Sequence, residues 1–185
     1  MPPRDENYWK DRYQGTWDRS SQREAKLAEY LEQKTGLVVE LCGLGAGSTA
    51  YIAGSAAKNG HEKGEADLHV LGTNVYIEVT GPLEGNVGPE EPLWFRPDKL
   101  DNALANRARG HDVFLAHNCP AARLWRVVHV DEELVRRYRA GAFPVRSKRI
   151  RGAVEHFVEI GAQDACIQPI GALVRGILQA KEKGG

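Results

Sequence analysis

The feature that most constrains the fold is a strand–turn–strand pattern over residues 64–81. Gly72-Thr73-Asn74 is typical of a tight turn, and the residues on either side predict two strands joined by it. Asp67 lies at the start of the first strand, and Glu78 lies among apolar residues of the second. A carboxylate buried in such a strand is costly without a partner. The two acids therefore predict an oxygen site suited to a hard divalent cation such as Mg²⁺.

A helix and a strand are predicted before this hairpin. Ser20-Ser21 can cap the helix and Gly36 can end it. Its apolar residues recur at helical spacing: Leu27, Ala28 and Leu31. Glu24 extends this stripe by one turn, so we expect its side chain to face the core. Residues 37–42 then predict a strand.

Helices and strands are also predicted after the hairpin. Residues 81–95 predict a loop rich in proline and glycine, and residues 96–109 predict a helix. Strands are predicted at 112–117 and 123–130. Asp131 then begins another helix, with acids in its first turn.

The tail is predicted to be helical. Residues 153–180 form its main part, with a break near Gly161 and Pro169. Three strands without an intervening helix indicate a mixed α/β fold rather than a regular doubly wound sheet. The chain is therefore divided into three parts: an N-terminal arm (1–19), a core (20–134) and a basic helical C-terminal extension (135–185).

Composition narrows the class of protein. The 185 residues suit one domain, and the formal net charge of zero favours no particular partner. Three distant cysteines form neither a disulfide framework nor a zinc site, which is typical of a reducing compartment. His117-Asn118-Cys119 contains a Cys/His pair, but no supporting catalytic constellation is visible. The polar start lacks a signal region, and no apolar run reaches the ~20 residues of a membrane helix. We therefore expect a cytoplasmic protein without membrane association.

This order of elements and acids resembles the PD-(D/E)XK nuclease superfamily, with its restriction-endonuclease-like core of helix, three strands, helix and strand. The resemblance covers about residues 20–130. It matches Glu24 to the acid of the first helix and Asp67 to the aspartate of the second strand. It matches residues 78–80, Glu-Val-Thr, to the acid–X–lysine tripeptide of the third strand. Two positions depart from the pattern, because Ala66 replaces a proline and Thr80 replaces the lysine.

The resemblance implies hydrolysis of phosphodiester bonds that depends on Mg²⁺, with Mn²⁺ as another possible metal and DNA as the expected substrate. Asp67 and Glu78 would bind the metal, together with the main-chain carbonyl of Val79. Glu24 would bind through water or orient that water. Nucleases of this kind often act as dimers, so a homodimer is compatible with this function.

The tripeptide leaves the catalytic cation unassigned. The motif lysine orients or activates the attacking water and stabilises charge on the phosphate, whereas Thr80 offers only a hydroxyl. Lys99, at the start of the following helix, is the first candidate to replace it. Arg96 and Lys63 are the alternatives.

A basic stretch follows the predicted core. No acid lies between Arg136 and Arg151, and Tyr138 and Phe143 lie among the cations. Cations interleaved with aromatic residues suit contact with phosphates and bases, and a solvated helix face is the alternative. The predicted nucleic-acid contacts are Arg136, Arg137, Arg139, Arg146, Lys148, Arg149 and Arg151.

Other functions stay open. A nuclease-like module without the motif lysine would bind nucleic acid or a partner without cleaving it. Residues 37–47 are similar to the first motif of S-adenosylmethionine-dependent methyltransferases, an apolar strand followed by a glycine-rich turn. A nuclease for RNA or a small cyclic oligonucleotide is a third possibility. Each acid also has a structural interpretation: a turn cap for Asp67, an ion pair for Glu78 and a solvated surface for Glu24.

Overall fold

The computed structural model describes residues 6–42, 66–82, 85–150 and 153–184. Within these ranges the chain forms four α-helices, namely α1 (Glu6–Thr35), α2 (Pro97–Ala108), α3 (Glu132–Arg139) and α4 (Ile170–Gly184). The same ranges form nine strands, namely β1 (Val39–Leu41), β2 (Leu68–Val70), β3 (Val75–Thr80), β4 (Leu93–Phe95), β5 (Asp112–Cys119), β6 (Leu124–His129), β7 (Val145–Ile150), β8 (Ala153–Ile160) and β9 (Ile167–Pro169). The predicted mixed α/β class is confirmed.

Six strands form one mixed sheet in the order β1–β2–β3–β5–β6–β9. β1, β2 and β3 are successive antiparallel neighbours, and α2 lies in the connection from β3 to β5. β3 and β5 are parallel, with Val75 opposite Asp112 and Thr80 opposite His117. The pairs β5–β6 and β6–β9 are antiparallel. Because β3 and β5 run in the same direction, their ends meet at one edge of the sheet.

Helices cover one face of this sheet, and a second sheet shares the other face with α2. α1 and α4 bury one hydrophobic cluster, which includes Leu27, Leu31, Ile77, Val79, Phe114, Leu173 and Ile177. The second sheet has the order β4–β8–β7 and buries another cluster together with α2, which includes Leu93, Phe95, Leu100, Leu115, Val158 and Ile160. Side chains alternate along β3, so Glu78 and Thr80 point toward the α2 side.

The predicted hairpin is confirmed as the β2–β3 pair. Leu68 pairs with Ile77 across the two strands. The Thr73 hydroxyl supports the turn, because it donates to the Val70 carbonyl at 2.8 Å and accepts from the Val75 amide at 3.0 Å. Asp67 thus comes directly before β2, in a position to approach β3.

The predicted start of the first helix at Ser20 is wrong. α1 begins at Glu6 and ends at Thr35. A serine pair is typical of a helix start, but serine is also tolerated inside a helix when tertiary packing supports it. Residues 6–19 of the predicted arm therefore belong to the same helix as Glu24.

The predicted loop and helical tail are wrong where strands β4, β7, β8 and β9 form. Residues 93–95 are strand β4, and residues 145–150, 153–160 and 167–169 are strands β7, β8 and β9. Within residues 153–180, only α4, which begins after Pro169, fulfils the helical prediction. β7 lies at the edge of its sheet and has the sequence VRSKRI, and edge strands commonly carry such charges. Its charge pattern therefore gave no clear strand signal.

No helix in the described part of the chain is both long and apolar enough to cross a membrane. Within the described part of the chain, no disulfide joins Cys42, Cys119 or Cys166.

Gly81 and Gly72 provide a matched test of the close approach between β3 and β5. Both have positive φ, 93° and 79° respectively. A Cβ on Gly81 would lie 2.8 Å from the backbone N and O of Asn118, whereas a Cβ on Gly72 would meet no atom within 4 Å. We expect Gly72→Ala to cost about 1 kcal/mol of unfolding free energy, and Gly81→Ala at least about 2 kcal/mol more, by urea denaturation. Equal losses in the two variants would contradict the close approach.

Candidate active site

Three charged side chains from three elements meet at the open end of the hairpin. Lys99 Nζ lies 2.5 Å from Asp67 Oδ2 and 2.9 Å from Glu78 Oε2. Asp67 precedes β2, Glu78 lies within β3 and Lys99 lies in the first turn of α2. One ammonium group therefore bridges two carboxylates that the sequence predicted to lie together.

The backbone fixes both sides of this bridge. Asp67 Oδ2 also accepts a hydrogen bond from the Val79 amide at 2.7 Å, which holds the carboxylate against β3. The Cys42 amide donates to the Asp67 carbonyl at 2.9 Å, so β1 supports the same residue. α2 begins with Pro97 directly after the Arg96 N-cap, which starts the helix at a point where Lys99 faces the sheet. The structure shows the Val79 amide in this contact and assigns no role to its predicted carbonyl.

Burial controls the electrostatics of the three groups. Glu78 is fully buried, and burial raises its pKa to about 7 despite the opposing effect of Lys99. Burial alone would lower the pKa of Lys99, but the Asp67 and Glu78 carboxylates outweigh it and raise the pKa above the ordinary value. The Lys99 side chain is 19% exposed, so the site keeps an opening toward solvent. Lys99 is therefore a fixed cation beside an acid that titrates near neutral pH.

The predicted helix acid lies next to this group. Glu24 is buried, and burial together with the Asp67 charge raises its pKa to about 7, against the effects of Lys99 and Arg23. Arg23 donates a hydrogen bond to the Gly81 carbonyl at 2.6 Å, which ties α1 to the end of β3. The expectation that Glu24 faces the core rather than solvent is confirmed.

A second polar cluster lies one strand further along the sheet. Thr80, which replaces the motif lysine, is buried opposite His117 of β5. His117 is also buried, and Arg126 Nη2 of β6 lies 3.4 Å from its Nδ1. Arg126 donates further hydrogen bonds to the carbonyls of Pro89 and Glu91, at 3.1 Å and 2.6 Å. The cluster thereby connects β5 and β6 to the segment that leads into β4.

The Cys119 thiol beside His117 is unsuited to nucleophilic catalysis. Its Sγ lies 3.8 Å from His117 Nδ1. Burial raises the pKa of the thiol, and burial together with Arg126 and Arg23 lowers the pKa of His117 to about 3. A nucleophilic cysteine needs the opposite shift of its thiol pKa.

The alternative cations lie elsewhere. Arg96 is exposed and forms an ion pair with Asp98 at 2.9 Å. Lys63 lies outside the described residues. Lys99 is therefore the candidate that the described structure brings to the two acids.

The described members of the predicted nucleic-acid set lie in different parts of the fold. Arg136 pairs with Glu133 on the same helix, and Arg137 forms two hydrogen bonds with Asp164 at 2.8 Å and 2.5 Å. Arg139 lines a cavity of about 1010 Å³ that also includes Asn74 before β3 and Asp112 at the start of β5. This cavity lies at the opposite end of the strands from Lys99.

β7 carries the remaining described members of the set. Arg146 and Lys148 lie 3.5 Å and 3.6 Å from Glu159 of β8. Lys148 also lies over the Trp94 ring, at 5.2 Å from the ring centroid. Trp94 in turn meets His117 edge-on, with 5.7 Å between ring centroids. Arg149 is exposed on β7, and Arg151 lies outside the described residues.

The sequence interpretation missed Arg23 and underestimated His117. Arg23 adjoins Glu24 on α1, so the inward-facing acid is the sequence signal that points to it. His117 was recognised only as part of a Cys/His pair, because its position opposite Thr80 depends on the register between β3 and β5. A sequence without a known register does not contain that information.

The comparisons provide no assignment. The chain matches no protein-family model, no curated protein and no solved structure. Among the described residues, no group of three or more His, Cys, Asp and Glu side chains is arranged to hold a metal ion. The candidate site must therefore be judged by the chemistry of its own residues.

The raised pKa of Glu78 predicts a specific pH dependence of stability. Between its ordinary pKa and about 7, the folded protein holds a proton that the unfolded chain has lost, so stability falls as pH rises through this range. Glu78→Gln removes this titration. We expect its effect on the unfolding free energy to be more favourable at pH 8 than at pH 5, by on the order of 2 kcal/mol.

Denaturation at both pH values measures this difference. Glu29→Gln is the matched control, because Glu29 is exposed on α1 and has no access to the bridge. The same effect of Glu78→Gln at both pH values would show that the buried acid has an ordinary pKa.

Proposed function

We propose that the protein is a metal-dependent phosphodiesterase of the PD-(D/E)XK type that cleaves DNA. The observation that carries this proposal is the bridge of Lys99 between Asp67 and Glu78. The superfamily that the chain resembles has two acids and a lysine close together. Thr80 stands at the lysine position, so the sequence leaves the source of the cation open. Lys99, which is 32 positions from Asp67 in the sequence, supplies this cation from α2.

The order of elements supports the same proposal. A helix with a buried acid is followed by three antiparallel strands and then, after the short strand β4 of the second sheet, by α2 and the parallel strand β5. Asp67 adjoins the second of these strands and Glu78 lies inside the third. A restriction-endonuclease-like core has this succession and these acid positions. The second sheet and α4 are additions to such a core.

The donor set suits a hard divalent cation. Carboxylate oxygens are the ligands that Mg²⁺ prefers, and Glu78 Oε1 is buried without a hydrogen-bond partner in the described part of the structure. Asp67 and Glu78 would hold the ion, and Glu24 would orient a water beside it. Bound Mg²⁺ would polarise the scissile phosphate and make the attacking water more acidic. Because the ligands must be deprotonated, metal affinity should rise with pH through about 7.

Lys99 acts through its charge in this proposal. Its raised pKa keeps the amine protonated, which excludes it as a general base at neutral pH. A fixed ammonium group that is only partly exposed can stabilise negative charge that develops on a phosphate. It also holds Asp67 and Glu78 in place before substrate binds.

A binding module without catalytic activity is the second candidate. The ammonium of Lys99 already compensates both carboxylates, and the described residues contain no larger group of metal ligands. Such a module would bind nucleic acid equally well with Mg²⁺ or with chelator and would leave it intact.

The methyltransferase alternative has little support from the fold. That fold places its first strand in a parallel sheet, with the cofactor at the strand end. Here β1 pairs antiparallel with β2, and β2 pairs antiparallel with β3. The glycine-rich residues 43–47 lie outside the described residues.

Substitution of the bridge residues tests the proposed activity. The wild type should cleave single-stranded DNA, duplex DNA or RNA with Mg²⁺ or Mn²⁺ and should be inactive with EDTA; duplex DNA is the expected substrate. Asp67→Asn and Glu78→Gln should each abolish cleavage, because each removes a metal ligand while keeping the side-chain shape. Lys99→Met should lower the rate about 10²- to 10³-fold through loss of electrostatic stabilisation.

Arg96→Met is the matched control, since it removes a cation from the start of the same helix outside the bridge. It should keep the wild-type rate. Cleavage by Asp67→Asn or Glu78→Gln would refute the assignment, and wild-type binding without cleavage would favour the binding module.

The split of the basic residues predicts unequal effects on nucleic-acid binding. Lys148 lies over Trp94, which meets His117, and Arg146 shares Glu159 with Lys148, whereas Arg136 is paired on α3. We expect the double variant Arg146→Ala/Lys148→Ala to weaken binding of duplex DNA and to reduce the salt slope of log K by about 2. Arg136→Ala should change the slope little. Fluorescence anisotropy over a salt series measures both, and an unchanged slope in the double variant would exclude β7 from the contact.

A further inference from the structure

Buried polar atoms collect at the common end of β3 and β5, beyond the Lys99 bridge. Within the described residues, His117 Nε2 and Arg23 Nε are both buried and have no hydrogen-bond partner. His117 itself is 0% exposed. An unpaired buried donor or acceptor costs on the order of 1–3 kcal/mol, so such atoms indicate a position where a ligand can bind.

The neighbours of His117 determine which of its nitrogens carries the proton. Arg126 Nη2 lies 3.4 Å from Nδ1, and a guanidinium group can only donate. The Cys119 thiol, 3.8 Å from the same nitrogen, keeps its proton because burial raises its pKa. Nδ1 therefore acts as the acceptor, and Nε2 carries the hydrogen. A protonated Nε2 is a donor and is not available as a metal ligand.

Arg23 adds a positive charge beside this donor. Its Nη1 donates to the Gly81 carbonyl at 2.6 Å, and its charge interacts with His117 as well as with Asp67 and Glu24. Gly81 also lies beside the His117 ring, since a Cβ on Gly81 would be 3.1 Å from His117 Cδ2. Cδ2 is bonded to Nε2, so Arg23 and the donor edge of His117 both lie at Gly81.

We propose that Arg23 and His117 form an anion-binding site that takes a non-bridging phosphate oxygen of the substrate. This proposal rests on the proposed function and specifies how the substrate phosphate is held beside the acids. The Nε2–H of His117 and the Nε–H of Arg23 are donors without an acceptor among the described residues. Phosphate oxygens are acceptors with negative charge, and they bind to such donors more strongly than neutral groups do.

In the motif, one lysine both orients or activates the attacking water and stabilises charge on the phosphate. Here Arg23 and His117 would share the contact with the phosphate. Lys99 is held by two carboxylates, whereas Arg23 and His117 face the end of β3, where Thr80 stands in place of the lysine. His117 stays neutral at physiological pH, because burial lowers its pKa to about 3. It therefore binds the oxygen as a hydrogen-bond donor and transfers no proton.

Sulfate is a suitable probe, because it is tetrahedral, carries a constant charge near neutral pH and binds without metal. The unfolding temperature is measured in EDTA with increasing sodium sulfate, against sodium chloride at equal ionic strength. Sulfate should stabilise the wild type. His117→Phe and Arg23→Gln should each weaken sulfate binding about tenfold, the effect of losing one donor to a charged group.

Three further variants provide the controls. His117→Phe keeps a ring against Trp94 without a donor, whereas His117→Gln keeps an N–H close to the position of Nε2 and should retain more of the binding. Lys26→Gln removes an exposed cation one turn from Arg23 on α1 and should bind sulfate like the wild type. If His117→Phe does not fold, Arg23→Gln decides the outcome against Lys26→Gln. The unfolding temperature of each variant without sulfate shows whether it folds.

Cleavage assays distinguish failure of this proposal from failure of the proposed function. In an active enzyme, His117→Phe and Arg23→Gln should raise KM for an oligonucleotide about tenfold. If the wild type cleaves nothing but both variants lose sulfate binding, the anion site is kept and the nuclease is rejected. Sulfate binding and KM that are unchanged in both variants would overturn the anion site, whether or not the protein cleaves DNA, and would leave His117 as a structural residue.

Discussion

The architecture around the site depends on one lysine ammonium held between two buried carboxylates. Lys99 joins α2 to the hairpin that carries Asp67 and Glu78, and these contacts are 2.5 Å and 2.9 Å long. Without the lysine, two desolvated carboxylates would repel each other at the end of a sheet. Without the carboxylates, α2 would place an unpaired cation near the apolar core. A buried ion pair often stabilises a protein little, so the bridge by itself is weak evidence of a stabilising role, and the proposed function gives it a chemical one.

The sheet gives the molecule two chemically different ends. At the ends of β3 and β5 lie the Lys99 bridge, Arg23 and His117. At the beginning of the same strands lies the cavity lined by Arg139. Parallel strands cause this separation, because they bring residues that are distant in sequence to the same end. Members of the basic stretch lie near both ends, Arg139 at the cavity and Lys148 over Trp94, although the stretch is continuous in the sequence.

Local patterns predicted the elements that have strong local signals. The prediction of the hairpin is confirmed because turn residues and apolar strand residues coincide there. The inward position of Glu24 is predicted because Glu24 continues an apolar helix stripe. The helical prediction for the tail is wrong because the β7 sequence VRSKRI resembles a solvated basic segment. Its strand character depends on pairing with β8. Propensity is a weak guide wherever a partner strand decides the structure. His117 shows the same limit, since its relation to Thr80 exists only in the β3–β5 register.

The sequence by itself determined that two acids would be brought together by a hairpin and that a third would lie on an inward helix face. Side-chain periodicity and turn chemistry act over a few residues, so these features are visible locally. Only the tertiary structure decided which cation joins Asp67 and Glu78, because Lys99, Arg96 and Lys63 are equivalent as charges in a sequence. The start of α2 after Pro97 and its packing on the sheet select Lys99. Burial then moves the pKa of Glu78 to about 7, which is a property of the folded environment.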